Sequence, residues 1–268
     1  VSSTANYPAN TLFVTETTDE DGRKVTQYVD LQGRTIRQQQ LAGTAENAIT
    51  DYVYDDHGRL RYVLPPAVPK TARTIPFTHA DFINYIYAYI YDERGRVIEK
   101  YIPGAGWTHI VYNKLDQPVL VRDAGQRKNK EWSFTKYDAH GRVAVTGLYY
   151  NTVDTTRTAV QNLANLASSQ WETRPLNNEW SNTAFPTTGI TIYSVNYYDN
   201  YNFPGKINYI GTDKDDRVQG MLTGSKALVL DSNPVKWLYA TMYYDNKGRF
   251  IQSIADNVMN GQDRITST

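Results

Sequence analysis

The feature that most constrains the fold is a short motif that recurs along the chain. The pattern Asp-x-x-Gly-Arg occurs six times in 268 residues, at residues 19–23, 30–34, 55–59, 92–96, 138–142 and 245–249. Recurrence of one pattern in this way is the signature of repeat architectures. We therefore expect the chain to use one small structural unit several times.

In the last four copies a tyrosine stands directly before the aspartate. The repeated side chains are then Tyr54, Asp55, Gly58 and Arg59; Tyr91, Asp92, Gly95 and Arg96; Tyr137, Asp138, Gly141 and Arg142; and Tyr244, Asp245, Gly248 and Arg249. Two imperfect copies begin at Tyr112-Asn113 and at Tyr198-Asp199.

The motif predicts the tip of a β-hairpin. Aspartate at the first position and glycine at the fourth favour a type I turn, and a glycine in the left-handed region completes a hairpin loop with a G1 bulge. The aspartate side chain can accept hydrogen bonds from backbone amides within the turn. A Cβ atom at the glycine would cost about 1 kcal/mol.

The segments that flank the tips have the period of two that is typical of strands. Before Asp92, Tyr85, Tyr87, Tyr89 and Tyr91 alternate with smaller apolar residues. The 22 tyrosines of the chain suit packing across strands. An isolated hairpin is marginally stable, but stacked hairpins bury each other's faces. We therefore predict a mainly β fold, a twisted antiparallel sheet of stacked hairpins.

Two segments depart from the hairpin pattern. From Thr155 to Trp171 the apolar residues are spaced by three and four, which predicts one amphipathic helix with Asp154 or Thr155 as its N-cap. Residues 78–81 resemble a capping box and predict a helical turn. We expect a single domain over residues 1–268, with a helix-and-loop insertion at residues 150–190.

Composition excludes several classes of function. The 28 basic and 28 acidic side chains cancel, which argues against a nucleic-acid binder. The chain has no cysteine, so disulfides and thiolate zinc sites are excluded. No apolar run is long enough to span a membrane. The four histidines lack the spacing of a metal site, and His57 and His140 lie in turns. We predict no cofactor, no metal and no catalytic residue.

Two sets of side chains carry alternative interpretations. The motif arginines could bind anions, or each could pair with its own aspartate and stack on a tyrosine of a neighbouring hairpin; the second alternative is favoured. Tryptophans could form flat platforms for glycans, or they could pack across strands. These candidates for glycan contact are Trp107, Trp171, Trp180 and Trp237.

The repeated string Tyr-Asp-x-x-Gly-Arg resembles the YD repeat of the RHS (rearrangement hotspot) proteins. Longer strings at residues 52–66, 96–100, 134–138 and 222–226 resemble the RHS-repeat proteins of Bacteroidetes. The resemblance implies a strip of hairpins that forms part of a hollow shell, which encloses or presents a C-terminal segment, in some members a toxin. It also implies export to the cell surface or beyond. The Asp-Pro element of the family's closing region does not occur here.

The expected function is therefore structural and not enzymatic. The resemblance implies that the partners are neighbouring repeats and a C-terminal cargo of the same polypeptide. Because the first residue is not methionine and the last ones are strand-like, we expect the chain to be a piece of a longer protein. The alternative is a surface adhesin or carbohydrate-binding module whose partner is a glycan or a surface protein. The direction in which the aromatic side chains point distinguishes the two.

Overall fold

The computed structural model describes residues 7–42, 46–69, 74–153 and 156–267. Within these residues, sixteen strands form an antiparallel sheet in which the strand order follows the chain. About 45% of the chain is strand. Three helices interrupt the strands. The prediction of a mainly β fold built from antiparallel hairpins is confirmed.

The secondary-structure elements have the following bounds. The strands are β1 (Leu12–Thr18), β2 (Lys24–Asp30), β3 (Thr35–Ala42), β4 (Glu46–Tyr54), β5 (Leu60–Leu64), β6 (Tyr87–Tyr91), β7 (Val97–Ile102), β8 (Gly106–Tyr112), β9 (Pro118–Arg122), β10 (Glu131–Tyr137), β11 (Val143–Tyr150), β12 (Ile190–Tyr198), β13 (Leu222–Val229), β14 (Lys236–Tyr244), β15 (Phe250–Asp256) and β16 (Gln262–Thr266). The helices are α1 (Ala80–Tyr85), α2 (Ala124–Asn129) and α3 (Arg157–Leu166).

The chain divides into two compact units between Ile110 and Val111. The core of the first unit forms where α1 and the loop after β5 cover the sheet. Phe82 of α1 is fully buried, and its ring centroid lies 5.0 Å from that of Tyr101 and 6.4 Å from that of Trp107. The buried members of this core are Val68, Ile75, Phe82, Ile86, Ala88 and Tyr101.

The second unit has the larger core. Alternate residues of β10 point into it, so that Trp132, Phe134 and Lys136 are all buried. Its buried members are Val111, Val119, Leu120, Trp132, Phe134, Ala144, Val145, Tyr149, Val160, Ala164, Val195, Tyr197, Tyr201, Phe203, Val218, Tyr243 and Ile254. Helix α3 contributes Val160 and Ala164 to this set, which fixes the inserted segment against the sheet.

The structure corrects the predicted start of one strand. The period of two before Asp92 predicted a strand from Tyr85 onward, but Tyr85 is the last residue of α1 and Ile86 is its C-cap. The helical turn predicted near residue 78 is confirmed, with His79 as its N-cap, because Nδ1 of His79 accepts a hydrogen bond from the Asp81 amide. The helix continues into the tyrosine run until the backbone turns extended at Ile86.

The inserted helix is shorter than predicted. Helix α3 ends at Leu166, because Ala167 has φ −58° and ψ 130°, so Trp171 lies outside it. The predicted N-caps Asp154 and Thr155 lie outside the described residues. Thr156 caps the helix by accepting a hydrogen bond from the Ala159 amide at 3.2 Å. Residues 151–189 lie between β11 and β12, and both the single domain and the insertion at residues 150–190 stay predictions.

Helix α2 follows a signal that the sequence analysis did not use. Asp123 and Gln126 form a reciprocal capping box, in which each side chain accepts from the other's backbone amide, at 2.8 and 3.1 Å. The helix ends at Asn129, and its C-cap is Lys130, whose φ is +60°. An aspartate followed three residues later by a glutamine would have predicted this helix start.

Candidate functional site

The repeated motif forms the same hairpin turn in each copy. In the copy at Asp55, the amides of His57 and Arg59 both donate to Oδ1 of Asp55, at 3.0 and 2.9 Å. The Gly58 amide donates to the carbonyl oxygen of Asp55 at 2.9 Å. The motif glycines have φ between +74° and +80°, as the hairpin prediction requires, at Gly22, Gly33, Gly58, Gly95, Gly141 and Gly248.

Two further turns use asparagine in place of the aspartate. The amides of Leu115 and Gln117 donate to Oδ1 of Asn113, and Asp116 occupies the left-handed position with φ +62°. This copy was predicted as imperfect. The turn at Asn257 was not predicted, although it places Asn260 in the left-handed region at φ +64°. Aspartate and asparagine tolerate this conformation better than most residues, so both turns keep the geometry without the glycine.

In five of the six motifs the closing arginine folds back onto its own aspartate, whereas the guanidinium of Arg23 lies 3.6 Å from Asp21 instead. Nε of Arg59 donates to Oδ2 of Asp55 at 2.7 Å, and the backbone amide of Arg59 donates to Oδ1. Burial by itself would raise the pKa of Asp55, but these hydrogen bonds outweigh burial and lower it. The same pairing joins Asp30 to Arg34, Asp92 to Arg96, Asp138 to Arg142 and Asp245 to Arg249.

The same arginine also contacts the next repeat. The guanidinium carbon of Arg59 lies 4.9 Å from the centroid of the Tyr91 ring, and Nη1 of Arg59 donates to the carbonyl oxygen of Asp92 at 3.2 Å. The Tyr91 hydroxyl donates to the carbonyl oxygen of Leu60 at 2.7 Å. Tyr91 therefore makes two contacts with the hairpin before it, one through its ring and one through its hydroxyl hydrogen bond.

This linkage recurs along the chain at the same place in the hairpin, although the donor and acceptor are between 19 and 55 residues apart in sequence. Each tyrosine hydroxyl donates to the carbonyl oxygen of the first residue after the preceding hairpin turn or connection. The donor and acceptor residues are Tyr54 and Thr35, Tyr91 and Leu60, Tyr137 and Pro118, Tyr198 and Val143, and Tyr244 and Leu222. The arginine lies over the ring in Arg34–Tyr54, Arg59–Tyr91 and Arg142–Tyr198. We call these contacts the Asp-Arg-Tyr ladder.

The imperfect copy at Asp199 departs from the predicted turn. Instead of capping a short hairpin, the Asp199 carboxylate accepts two hydrogen bonds from the guanidinium of Arg142, at 2.8 and 2.6 Å, and one from the Gly220 amide. This two-point pairing lowers the pKa of Asp199 and raises that of Arg142. Arg142 therefore contacts two carboxylates, its own Asp138 and the distant Asp199.

A second group of polar side chains lies where the insertion meets the sheet. Lys136 and Glu172 form an ion pair with Nζ and Oε1 2.9 Å apart, and their side chains are 2% and 0% exposed. Nζ of Lys136 also lies 2.5 Å from Oδ1 of Asn182. The sequence analysis missed this group. The signal was present in β10, where Lys136 takes the next inward position after Trp132 and Phe134.

Two of the four predicted glycan-contact aromatics come together beside this group. Trp180 and Trp237 line a cavity of about 190 Å³ in the second unit, together with Glu179, Asn182 and Lys226. Nζ of Lys226 lies 4.8 Å from the Trp237 ring and 2.5 Å from Oε1 of Glu179. The cavity therefore joins flat apolar surfaces to charged and amide groups, the combination that sugar rings require.

The other two tryptophans lie elsewhere. Trp107 belongs to the first unit, where its ring packs against Phe77, Phe82 and Tyr101. Trp171 is 40% exposed and is not among the residues that line the cavity. In the described part of the chain, no group of three or more carboxylate, imidazole or thiol side chains is arranged to hold a metal ion. Among the same residues, none of the helices has the length and apolar character of a membrane span.

No protein-family profile and no curated protein matches the sequence. Among solved structures, the chain is similar to one described as the crystal structure of TcdB2-TccC3-Cdc42, with a TM-score of 0.38 and 16% identity. The crystal structure of TcdB2-TccC3 also has a TM-score of 0.38, with 14% identity. Each alignment covers 91% of this chain and 12% of the other, so the chain corresponds to a small part of those longer chains.

Proposed function

We propose that this chain is a non-catalytic scaffold segment of an exported RHS-type protein, and that it encloses or presents another segment of the same polypeptide. The Asp-Arg-Tyr ladder is the observation that supports the proposal. The motif aspartates accept hydrogen bonds from turn amides, and in five motifs the closing arginine pairs with its own aspartate. The motif aspartates and arginines therefore serve to hold the fold, and further hairpins could pair with the strand at either end of the sheet.

The pairing pattern explains how such a scaffold can be extended by further repeats. Neighbouring strands are joined by backbone hydrogen bonds, and at five places along the sheet a tyrosine hydroxyl adds a bond to the preceding hairpin or connection. Stability in an array of this kind is close to a sum of nearest-neighbour terms, so that further repeats extend the sheet without redesigning it. We propose that the cargo lies against one face of the sheet that the repeats form.

Limited proteolysis of the longer polypeptide tests enclosure. The protein is digested natively and after mild denaturation, and the fragments are mapped by mass spectrometry. If the segment beyond residue 268 resists cleavage until the repeats unfold, enclosure is supported. If that segment is cut at once while residues 7–267 survive, enclosure is refuted. A variant with Gly58→Val and Gly95→Val, which weakens two turns, should expose the cargo at lower denaturant concentration.

A second candidate function is glycan binding, which the cavity beside Trp180 and Trp237 favours. The ring of Trp180 is held in place by a hydrogen bond from Nε1 to the carbonyl oxygen of Asn196 at 2.7 Å. The Tyr197 hydroxyl donates to Oε2 of Glu179 at 2.7 Å, which fixes the carboxylate at the cavity. A volume of about 190 Å³ is below the range of drug-sized pockets, so the cavity would take a single sugar ring.

Titration with oligosaccharides selected on a glycan array tests this function. Trp237→Ala should weaken binding by about tenfold or more, because one stacking surface is lost. Trp171→Ala is the matched control, because it removes an exposed tryptophan that does not line the cavity, and it should leave the affinity unchanged. Absence of binding to any sugar, or equal loss in both variants, contradicts a glycan site here.

A further inference from the structure

The group formed by the buried Lys136 and Glu172 and the exposed Asn182 has the composition of a reactive site. It brings an amine, a carboxylate and a carboxamide together at the inner surface of β10. Nζ of Lys136 is 2.9 Å from Oε1 of Glu172 and 2.5 Å from Oδ1 of Asn182. The electrophilic carbon of the carboxamide is one bond away from that oxygen. An amine that contacts the carbonyl oxygen also lies close to the carbonyl carbon, and such proximity is the first requirement for attack.

We propose that Lys136 and Asn182 are joined by an intramolecular isopeptide bond, with Glu172 carrying the protons. The bond would tie the inserted loop to β10 across a sequence separation of 46 residues. Nothing in the ladder contacts of the repeats requires such a link, so this inference is independent of the proposed scaffold function.

The surroundings hold the three groups in fixed positions. The Glu172 amide donates to the carbonyl oxygen of Tyr137 at 2.8 Å, which places the loop beside the end of β10. The Ser181 hydroxyl donates to Oε2 of Glu172 at 2.5 Å, and the Thr183 amide donates to the same oxygen at 3.0 Å. Nδ2 of Asn182 donates to the carbonyl oxygen of Thr187 at 2.8 Å, so that Oδ1 faces the amine.

Burial favours the neutral amine that the reaction needs. The Lys136 side chain is 2% exposed, and burial lowers the pKa of its amine below the usual value despite the opposing effect of Glu172. A lysine that loses its water in this way is activated as a nucleophile. Glu172 is the adjacent base that accepts its proton.

The reaction balances without any co-reactant. Glu172 takes one proton from the Lys136 ammonium group, and the neutral Nζ attacks Cγ of Asn182. The new N–C bond forms, the Cγ–Nδ2 bond breaks, and Nδ2 leaves as ammonia after Glu172 has delivered a proton to it. After attack, Glu172 takes a second proton from Nζ, so that the new amide keeps one hydrogen. This proton passes to the departing ammonia, which becomes ammonium and carries the charge that the Lys136 ammonium group had.

The leaving group has a place to go. The cavity of about 190 Å³ is lined by both Lys136 and Asn182, together with Ser181. Asn182 itself is an exposed residue, so the carboxamide borders on solvent while the amine and the carboxylate stay buried. Ammonia can therefore leave without opening the core of the second unit.

The chain contains an internal control for this chemistry. Nζ of Lys236 lies 2.7 Å from Oδ1 of Asn260, but the other contact of that amine is the carbonyl oxygen of Val258. Both hydrogen bonds are exposed to solvent, and neither involves a carboxylate. This pair has the amine and the amide without the base or the burial, and we expect it to remain unlinked.

Mass spectrometry of the purified protein tests the bond. The intact mass should fall below the sequence mass by that of one ammonia molecule. Trypsin should fail to cut after Lys136 and should release residues 131–142 joined to residues 158–206. An intact mass equal to the sequence mass, with normal cleavage after Lys136, overturns the proposal. A loss of ammonia that maps to Lys236 and Asn260 overturns it as well.

Two variants separate the bond from a plain ion pair. Asn182→Ala alters an exposed residue, so we expect it to fold with an unchanged circular dichroism spectrum and to keep its full sequence mass. Glu172→Gln preserves size and tests the proton carrier, and it should also keep the full mass. A folded Glu172→Gln protein that still loses ammonia would overturn the role of Glu172. A folded Asn182→Ala protein that still loses it at Lys136 would overturn the assignment of the bond.

Discussion

The contact between Arg59 and Tyr91 permits a quantitative test of the Asp-Arg-Tyr ladder. The guanidinium carbon is 4.9 Å from the ring centroid, inside the limit of about 6 Å for a cation–π interaction. Both side chains are half-buried, so the expected value is at the low end, about 0.5–1 kcal/mol. The hydrogen bond from the Tyr91 hydroxyl to Leu60 contributes about 1 kcal/mol more.

A double-mutant cycle separates these two contributions. Tyr91→Phe removes the hydroxyl and keeps the ring, so it should lower the free energy of unfolding by about 1 kcal/mol and show little coupling to Arg59→Met. Tyr91→Leu removes the ring as well, and its coupling to Arg59→Met should be about 0.5–1 kcal/mol. Unfolding in urea, followed by circular dichroism, provides the free energies.

The control pair combines Tyr91→Leu with Arg23→Met. Arg23 closes the first motif and bonds through its backbone amide to Asp19, three motifs before Tyr91. The two effects should therefore add, as they do for distant sites. The reasoning is refuted if Arg59 and Tyr91 show no coupling, or if the control pair shows the same coupling.

Three other predictions follow from the turns and their neighbours. Gly95→Val should lower the free energy of unfolding by about 2 kcal/mol, because φ is +80° at this position. The loss comes from the backbone and not from crowding, since an added Cβ would meet only Arg59, at 3.9 Å. Arg94→Ala should change the free energy of unfolding little, and equal losses in thermal denaturation would contradict the left-handed turn. Gly224→Ala should cost about 1–3 kcal/mol for a different reason, since its Cβ would lie 2.2 Å from the Phe203 ring, and Phe203→Leu should recover part of the loss in the same melt. The arginines and turn amides lower the pKa values of four motif aspartates, which are Asp30, Asp55, Asp92 and Asp245. The stabilisation that they provide is complete above the unfolded pKa of about 3.9 and is lost as pH falls through the lower folded values. Asp55→Asn should therefore reduce the slope of stability against pH in this acid range, and an unchanged slope would contradict the pairing.

The hairpin architecture could be predicted from the sequence because its signal is local. A turn needs an acceptor at its first position and a left-handed residue at its fourth, and both are written in five consecutive residues such as 55–59. The partner of each strand is the next one in the chain, so no long-range pairing had to be guessed. Even the turn at Asn113 could be recognised, because asparagine satisfies the same amides as aspartate.

The alternation in β10 could have predicted that Lys136 points inward, but the site in the second unit could not be predicted, because it depends on distant segments. Lys136, Glu172 and Asn182 meet only after the inserted loop has folded back onto β10, and no spacing in the sequence encodes that contact. Asp199 was misinterpreted for the same reason, since its partner Arg142 lies 57 residues away. The boundary of α1 was missed because the tyrosine alternation continues unbroken through the end of the helix at Tyr85.

Cryo-electron microscopy of the longer polypeptide to which the scaffold proposal assigns this chain tests the central claim most directly. The scaffold proposal predicts that further hairpins pair with the edges of β1 and β16, and that another segment of the same polypeptide lies against one face of the sheet. A map in which both edge strands and both faces are open to solvent, with the rest of the polypeptide folded elsewhere, would contradict it.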